Sequence, residues 1–320
     1  MTENLKLGLA AGENVVSSVL VMFLLMAVGF VLAKKKVLTQ VGIKQMTEMV
    51  LMTAVPSLVI HSYQRDFDIV MVKKLCFAFL FSIIFHFISF ALAPLIFRPR
   101  EDKKDRVSVF SVIYSNCGFM ALPLIQTIYG SDGVFYAVAY VTVFNIFYWT
   151  QGVYVYTKDW KQLSLKKAFF TPGVIGAVIG LSLCALRIKL PTPLASTGSF
   201  VASLNTPVPM IILGTYLVNI NIKKTAKNLQ LWLVCLVRLI LFPIIGILLA
   251  KVMQLPDVVS MPLVVACSCP AAAVATLFAA RSNLDSEYAS ETVSVSTLLS
   301  IITIPIMVIA AVIKIGRAHV

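Results

Sequence analysis

Ten long apolar stretches limit what this chain can become. They run at about 15–33, 43–62, 75–97, 107–129, 133–155, 170–188, 194–218, 229–252, 258–280 and 290–313. A helix needs about 20 apolar residues to cross a bilayer, and the polar links between the stretches are short. Composition agrees, with 59% hydrophobic and 13% charged residues and a mean hydropathy of +0.92, against roughly a quarter charged in ordinary globular chains. The expected fold is an all-α membrane protein of ten spans. A soluble enzyme, a nucleic-acid reader and a secreted disulfide scaffold are excluded. The first stretch runs straight into Lys34, Lys35 and Lys36 with no small-residue cleavage site, so it reads as a retained span rather than a signal peptide.

The net charge of +13 would direct a soluble chain to nucleic acid, but in a membrane protein it reports orientation. Loops after the odd-numbered stretches hold Lys34–Lys36 and Lys44, then Arg98, Arg100, Lys103, Lys104 and Arg106, then Lys158, Lys161, Lys166 and Lys167, then Lys223, Lys224 and Lys227, and Arg281. That is nearly twice the basic count of the other side. Cytoplasmic loops carry the Lys/Arg excess, so both termini are expected outside the cytoplasmic membrane. All six cysteines lie within apolar runs, where Cys acts as a small hydrophobe.

Ten spans with both ends on one side is what two five-helix halves of opposite orientation produce, the inverted-repeat plan of many secondary transporters. The halves are expected at 1–156 and 168–314, joined by a polar cytoplasmic link at 157–167. Residues 315–320 match one reading frame of a common sequencing-library adapter and are set aside as a suspected non-native tail.

Two stretches are interrupted in corresponding positions. The fourth reads Tyr114-Ser115-Asn116-Cys117-Gly118-Phe119 with Pro123 behind it, and the ninth reads Cys267-Ser268-Cys269-Pro270-Ala271. Proline removes a backbone donor and clashes with the preceding turn. Freed backbone groups at membrane depth are tolerated only in protein or at a water-filled cavity, and an opened helix presents an N-terminus that attracts anions. Matched interruptions of this kind point to a transporter's binding site; two plain proline kinks are the alternative.

Asn116-Cys117-Gly118-Phe119 with Pro123-Leu124, Tyr129-Gly130 and Gly133 resembles the fourth-helix signature of the auxin efflux carrier family, which includes bacterial malate and malonate permeases. Pro270-Ala271-Ala272, Ala289-Ser290 and Ser296-Thr297-Leu298 through Pro305 are similar to its last two helices, and Thr171-Pro172-Gly173 with Leu190-Pro191 to its sixth. The resemblance implies ten helices in two inverted five-helix repeats, with helices 4 and 9 broken at prolines and crossing. It implies that Asn116 hydrogen-bonds a substrate carboxylate and that Pro123 and Pro270 mark the crossover. Cys117, Gly118 and Ala271 join the candidate site as their immediate neighbours. Members often carry Thr or Ala at the position of Cys117 and Gly at that of Ala121, departures that bear on substrate choice.

Other residues have two readings. Asn145 could reach the cavity or bond another helix. Arg238 lies about 12 Å into the eighth stretch, where it could neutralise a carboxylate, pair with a carbonyl or snorkel to an interface. Glu48 and Glu291 read as charges favoured by helix N-termini, and His86 as a neutral imidazole bonded to a neighbouring helix. Gly176 and Gly180 form a small-xxx-small pair suited to helix packing.

The functional expectation is a secondary transporter for small organic anions, with dicarboxylates such as malate favoured by the resemblance. A sodium-coupled bile-acid-type or aromatic-acid carrier is the alternative. No H-E-x-x-H, no G-x-S-x-G and no Asp within a span core supports an enzyme. The expected partners are the anion and the lipid bilayer, with a homodimer left open and no nucleic acid. No cofactor is expected, and the coupling ion, H+ or Na+, is left open.

Overall fold

The computed structural model describes residues 2–66, 68–98, 103–220 and 225–315, with side chains except at 2–12 and 219. Arg100 of the basic loop at 98–106, Lys223, Lys224 and nearly all of the suspected tail lie outside these residues. Helices α1 Thr2–Lys34, α2 Gln40–Ser62 and α3 Ile69–Ile96 come first. Then follow α4 Lys103–Ile113, α5 Cys117–Thr157, the short α6 Leu165–Phe169 and α7 Pro172–Ala185. The remainder are α8 Thr192–Ser203, α9 Pro207–Tyr216, α10 Leu229–Val252, α11 Asp257–Ser268, α12 Val274–Arg281 and α13 Ser286–Ile315. Side chains start several of them: Asp68, Thr171 and Asn228 accept from the N–H groups of Val70, Val174 and Leu231, satisfying donors a helix start leaves orphaned.

Among the described residues, 6 helices are long and apolar enough to cross a membrane, while α7 and α11 are shorter apolar helices. The expectation of ten separate spans is therefore met only in part, and the interruptions explain why. The stretch at 107–129 opens between α4 and α5, that at 194–218 between α8 and α9, and that at 258–280 between α11 and α12. The stretches at 133–155 and 117–129 merge into α5, with a kink at Gly130, whose φ of 60° and ψ of −156° suit a residue without Cβ.

Several helices also widen where the sequence carries proline. Val50–Ala54, Cys117–Ala121 and Val237–Leu241 are π-turns, each ending two residues before Pro56, Pro123 or Pro243. The residue just before each proline donates five residues back: Val55 to Val50, Leu122 to Cys117 and Phe242 to Val237. Proline clashes with the carbonyl four residues before it, and a local π-turn relieves that crowding without ending the helix.

The outer surface is apolar, as a lipid-facing surface must be. Helix α1 buries one stripe, Val15, Val19, Met22 and Met26, while Leu20, Val21, Leu24 and Val28 are exposed. Its buried face meets α9 at very short range. A Cβ on Gly29 would overlap the backbone carbonyl of Ile211, and one on Gly214 that of Met26. Helix α7 packs on α2 through Gly176 and Gly180, where a Cβ would stand 2.9 Å from Pro56 Cα and 3.0 Å from Tyr63 Cβ. Small residues allow such backbone approach. The protein is an integral membrane protein.

Candidate functional site

The two interrupted stretches meet. Ser115 and Ala271 form an isolated antiparallel bridge, in which the Asn116 N–H donates to the Pro270 carbonyl at 2.8 Å and the Ala272 N–H to the Tyr114 carbonyl at 2.9 Å. Each unwound segment thereby satisfies part of the other's backbone, the requirement for irregular chain buried in a membrane protein. The Ala271 N–H donates to Ser296 Oγ of α13 at 3.2 Å, and Ser115 Oγ to Tyr140 Oη of α5 at 3.4 Å.

Four half-helix ends converge here. Helices α4 and α11 arrive with their C-termini, and α5 and α12 leave from their N-termini. Arg238, fully buried, serves the two arriving ends. Its Nη1 donates to the carbonyls of Val112 at 2.8 Å and Ile113 at 3.2 Å, and its Nη2 to the carbonyl of Cys267. The guanidinium also lies 5.7 Å from the centroid of the Phe242 ring. A cation is favoured at a helix C-terminus, where orphan carbonyls gather. Of the readings the sequence left for Arg238, these contacts match pairing with carbonyls. Its Nε has no partner among the described residues.

The departing ends differ from each other. At the start of α5, Asn116 is 5% exposed and its Nδ2 has no hydrogen-bond partner among the described residues. Its carbonyl accepts from Met120 and Ala121. Gly118 is partly exposed, and a Cβ there would meet nothing within 4 Å, so space lies before this end. The other end is closed: Pro270 is buried, and Ala271 and Ala272 are at most 3% exposed. Cys117 is fully buried. The first break falls at Tyr114–Asn116, and Pro123 sits beyond it, just after the π-turn that relieves its crowding of the preceding turn.

The structure does not tie Asn145 to the crossing by a hydrogen bond: its Nδ2 donates to Val141 of its own helix at 2.8 Å. His86 likewise has its hydrogen bond within its own helix, with Nδ1 2.7 Å from the Ser82 carbonyl, while its ring packs on Tyr140 and Phe147 of α5. Glu48 is exposed, 3.9 Å from Lys44, whereas Glu291 is buried. Tyr140 and Gln151, whose Oε1 accepts from Tyr114 Oη at 2.9 Å, were missed by sequence reasoning, and Ser296 entered it only as part of a family motif, with no contact assigned. Lone polar residues within apolar helices carry no local signal of their partners.

Two clefts open at opposite ends of α3, about 40 Å apart by helical rise. One of about 340 Å³ is lined by Tyr63, Gln64, Arg65, Asp66, Arg187 and Lys189. The other, of about 400 Å³, is lined by Phe97, Arg98, Asp105, Leu229, Gln230 and Leu233 among others. In the first, Lys189 pairs with Asp66 at 2.9 Å, and this hydrogen-bonded ammonium holds the Asp66 carboxyl below its usual value.

Comparison with known proteins agrees with this architecture. Residues 14–164 and 156–308 each match a family described as membrane transport protein. An uncharacterized transporter of Methanothermobacter thermautotrophicus is 26% identical over 301 residues, covering 91% of this chain and 95% of its own.

Proposed function

The chain belongs to the membrane transport protein family, the auxin efflux carrier-like transporters, and from that premise we propose that it is a secondary transporter of small organic anions. Dicarboxylates such as malate are the favoured substrates, on the family resemblance. The fold is read as ten spans in two inverted five-helix repeats, 1–156 and 168–314, linked at 157–167. The two successive family matches, 14–164 and 156–308, support a division near there. The chain is placed in the cytoplasmic membrane with both termini outside, following the positive-inside rule.

One observation carries the reading: Asn116 presents a buried, unpartnered amide donor at the opened end of α5, with space before Gly118. A carboxylate there would accept from Asn116 Nδ2 and lie at the positive end of a helix dipole. Pro270 and Ala271 form the opposing wall, and Cys117 the floor behind Asn116. Arg238 neutralises the arriving C-termini, whose negative ends would otherwise repel the anion. Exchange of access between the two clefts would move substrate past a site that both states share.

Counterflow in proteoliposomes tests this. Vesicles loaded with unlabelled malate should transiently accumulate labelled malate from outside without an ion gradient. Asn116→Ala should lower apparent affinity about 10- to 100-fold, the worth of a hydrogen bond to a charged group, with folded protein retained. Unchanged transport in that variant removes Asn116 from the site. Ohmic flux without counterflow would mark a channel. Accumulation of bile-acid-like or aromatic anions in place of malate would favour the alternative substrate classes.

A further inference from the structure

A second amide stands in the membrane interior with nothing to bond. Asn205 lies in the turn between α8 and α9 and is 1% exposed, yet neither Nδ2 nor Oδ1 has a hydrogen-bond partner among the described residues. Among the described residues it is the buried side-chain amide left with both polar atoms unpaired. The helices that flank it connect it to the crossing. Helix α8 packs on α2 and its π-turn, and α9 packs on Cys117–Ala121, the turn that Asn116 opens. Counted at about 1.5 Å per residue, Asn205 lies about 20 Å from the start of α8, and Asn116 about 20 Å from the start of α4. Both fall near the middle of a hydrocarbon core about 30 Å thick.

An amide at that depth that leaves donor and acceptor unused is far costlier than an apolar residue of its size, so its chemistry points to a ligand. The two atoms specify what that ligand presents. A carboxylate only accepts, and would satisfy Nδ2 while leaving Oδ1 idle. A hydroxyl both donates and accepts and can pair with either atom. We propose that Asn205 is a second binding residue of the Asn116 site, contributed by the α8–α9 turn, and that it reads a hydroxyl group on a small carboxylate. The assignment rests on the anion site proposed above and adds a specificity-determining contact to it.

Malate and succinate differ by one hydroxyl, and their binding to the purified full chain can be followed by ligand-induced shifts in Tm. Wild-type protein should bind malate about tenfold more tightly than succinate. Asn205→Leu, which keeps the volume and removes the unpaired polar atoms, should melt no lower than wild type. Its malate affinity should fall to that for succinate, with the succinate affinity unchanged within about twofold. Asn205→Ala should show the same pattern and serves if the leucine variant does not fold. Equal losses for both acids, or none for either, overturn the proposal, and the second result would assign the amide a structural water only. Wild-type protein that binds neither acid fails the dicarboxylate reading on which the assignment rests, whereas malate preference that survives in both variants fails Asn205 alone.

Discussion

The α1–α9 seam and the α4/α5–α11/α12 crossing are both places where chain meets chain closely inside the membrane, and they are built by opposite means. The seam is apolar and closed. Gly29 and Gly214 each face a backbone carbonyl of the partner helix with no room for a methyl group. The crossing is polar and incompletely satisfied. Its backbone is stitched by Asn116 to Pro270 and Ala272 to Tyr114 and its C-termini by Arg238, while Asn116 Nδ2 is unpaired and Gly118 faces space. Lipid tails supply no hydrophobic drive between helices, so close van der Waals fit holds the seam. A binding site needs the reverse, polar groups held in place with their own partners missing. Glycine serves both regions, for contact in one and for access in the other.

Substitution should separate the two. Gly214→Val places branched carbon against the Met26 carbonyl, and overpacking against backbone has no low-energy relief. The expected outcome is near-complete loss of monodisperse protein on size-exclusion chromatography in detergent. Normal yield with normal flux would show that the seam is looser than its geometry. Arg238→Gln comes next. It removes charge-assisted bonds to three carbonyls and should cost about 3 kcal/mol or more, read as a large fall in Tm. An unchanged Tm with collapsed substrate affinity would instead make Arg238 a substrate ligand.

Gly118→Ala turns the comparison around. With no atom within 4 Å of the new methyl and better helix propensity, Tm should hold or rise slightly. Counterflow should fall several-fold as the space before Asn116 fills. Full flux would mean that this space faces lipid instead of substrate. The smallest effect belongs to Asp66, far from both regions. Its carboxyl is held below the usual value by Lys189, so the pair contributes above the unfolded pKa of about 3.9 and is lost as pH falls through the lower folded value. The residue is exposed and its pairing is screened by salt. Asp66→Asn should therefore leave Tm at pH 7 almost unchanged, and any difference from wild type should vanish once the pH falls below the lowered folded value. A difference that grows on acidification would reverse the sign of this linkage.

How much was legible depended on the kind of residue. The Pro56, Pro123 and Pro243 π-turns answer a local clash that sequence can locate, although Pro94, Pro262 and Pro305 sit inside helices without a π-turn. The interruption at Asn116 and that at Pro270 could be matched because each breaks a long apolar run. The break near Asn205 has its own sign in Asn205-Thr206-Pro207, a turn-favouring run, but apolar length on both sides concealed it. The turn of Asn145 and His86 back onto their own helices has no such sign, because a polar side chain within an apolar helix can bond either way.

Sequence alone determined that this chain lives in a bilayer as helices, that its fourth and ninth apolar stretches are broken, and that its family is one of transporters. Those features reside in hydropathy, proline and short motifs, all fixed by covalent order. Only the tertiary structure decided that the two breaks bond to each other, that Arg238 closes two helix C-termini, and that the amides of Asn116 and Asn205 are left with unpaired atoms. These depend on which donors and acceptors meet across separate elements, 29 positions apart for Arg238 and Cys267 and 126 for Arg238 and Val112. In a medium without water, each buried polar group must find a partner or lack one, and that outcome is decided by packing, not by sequence neighbours.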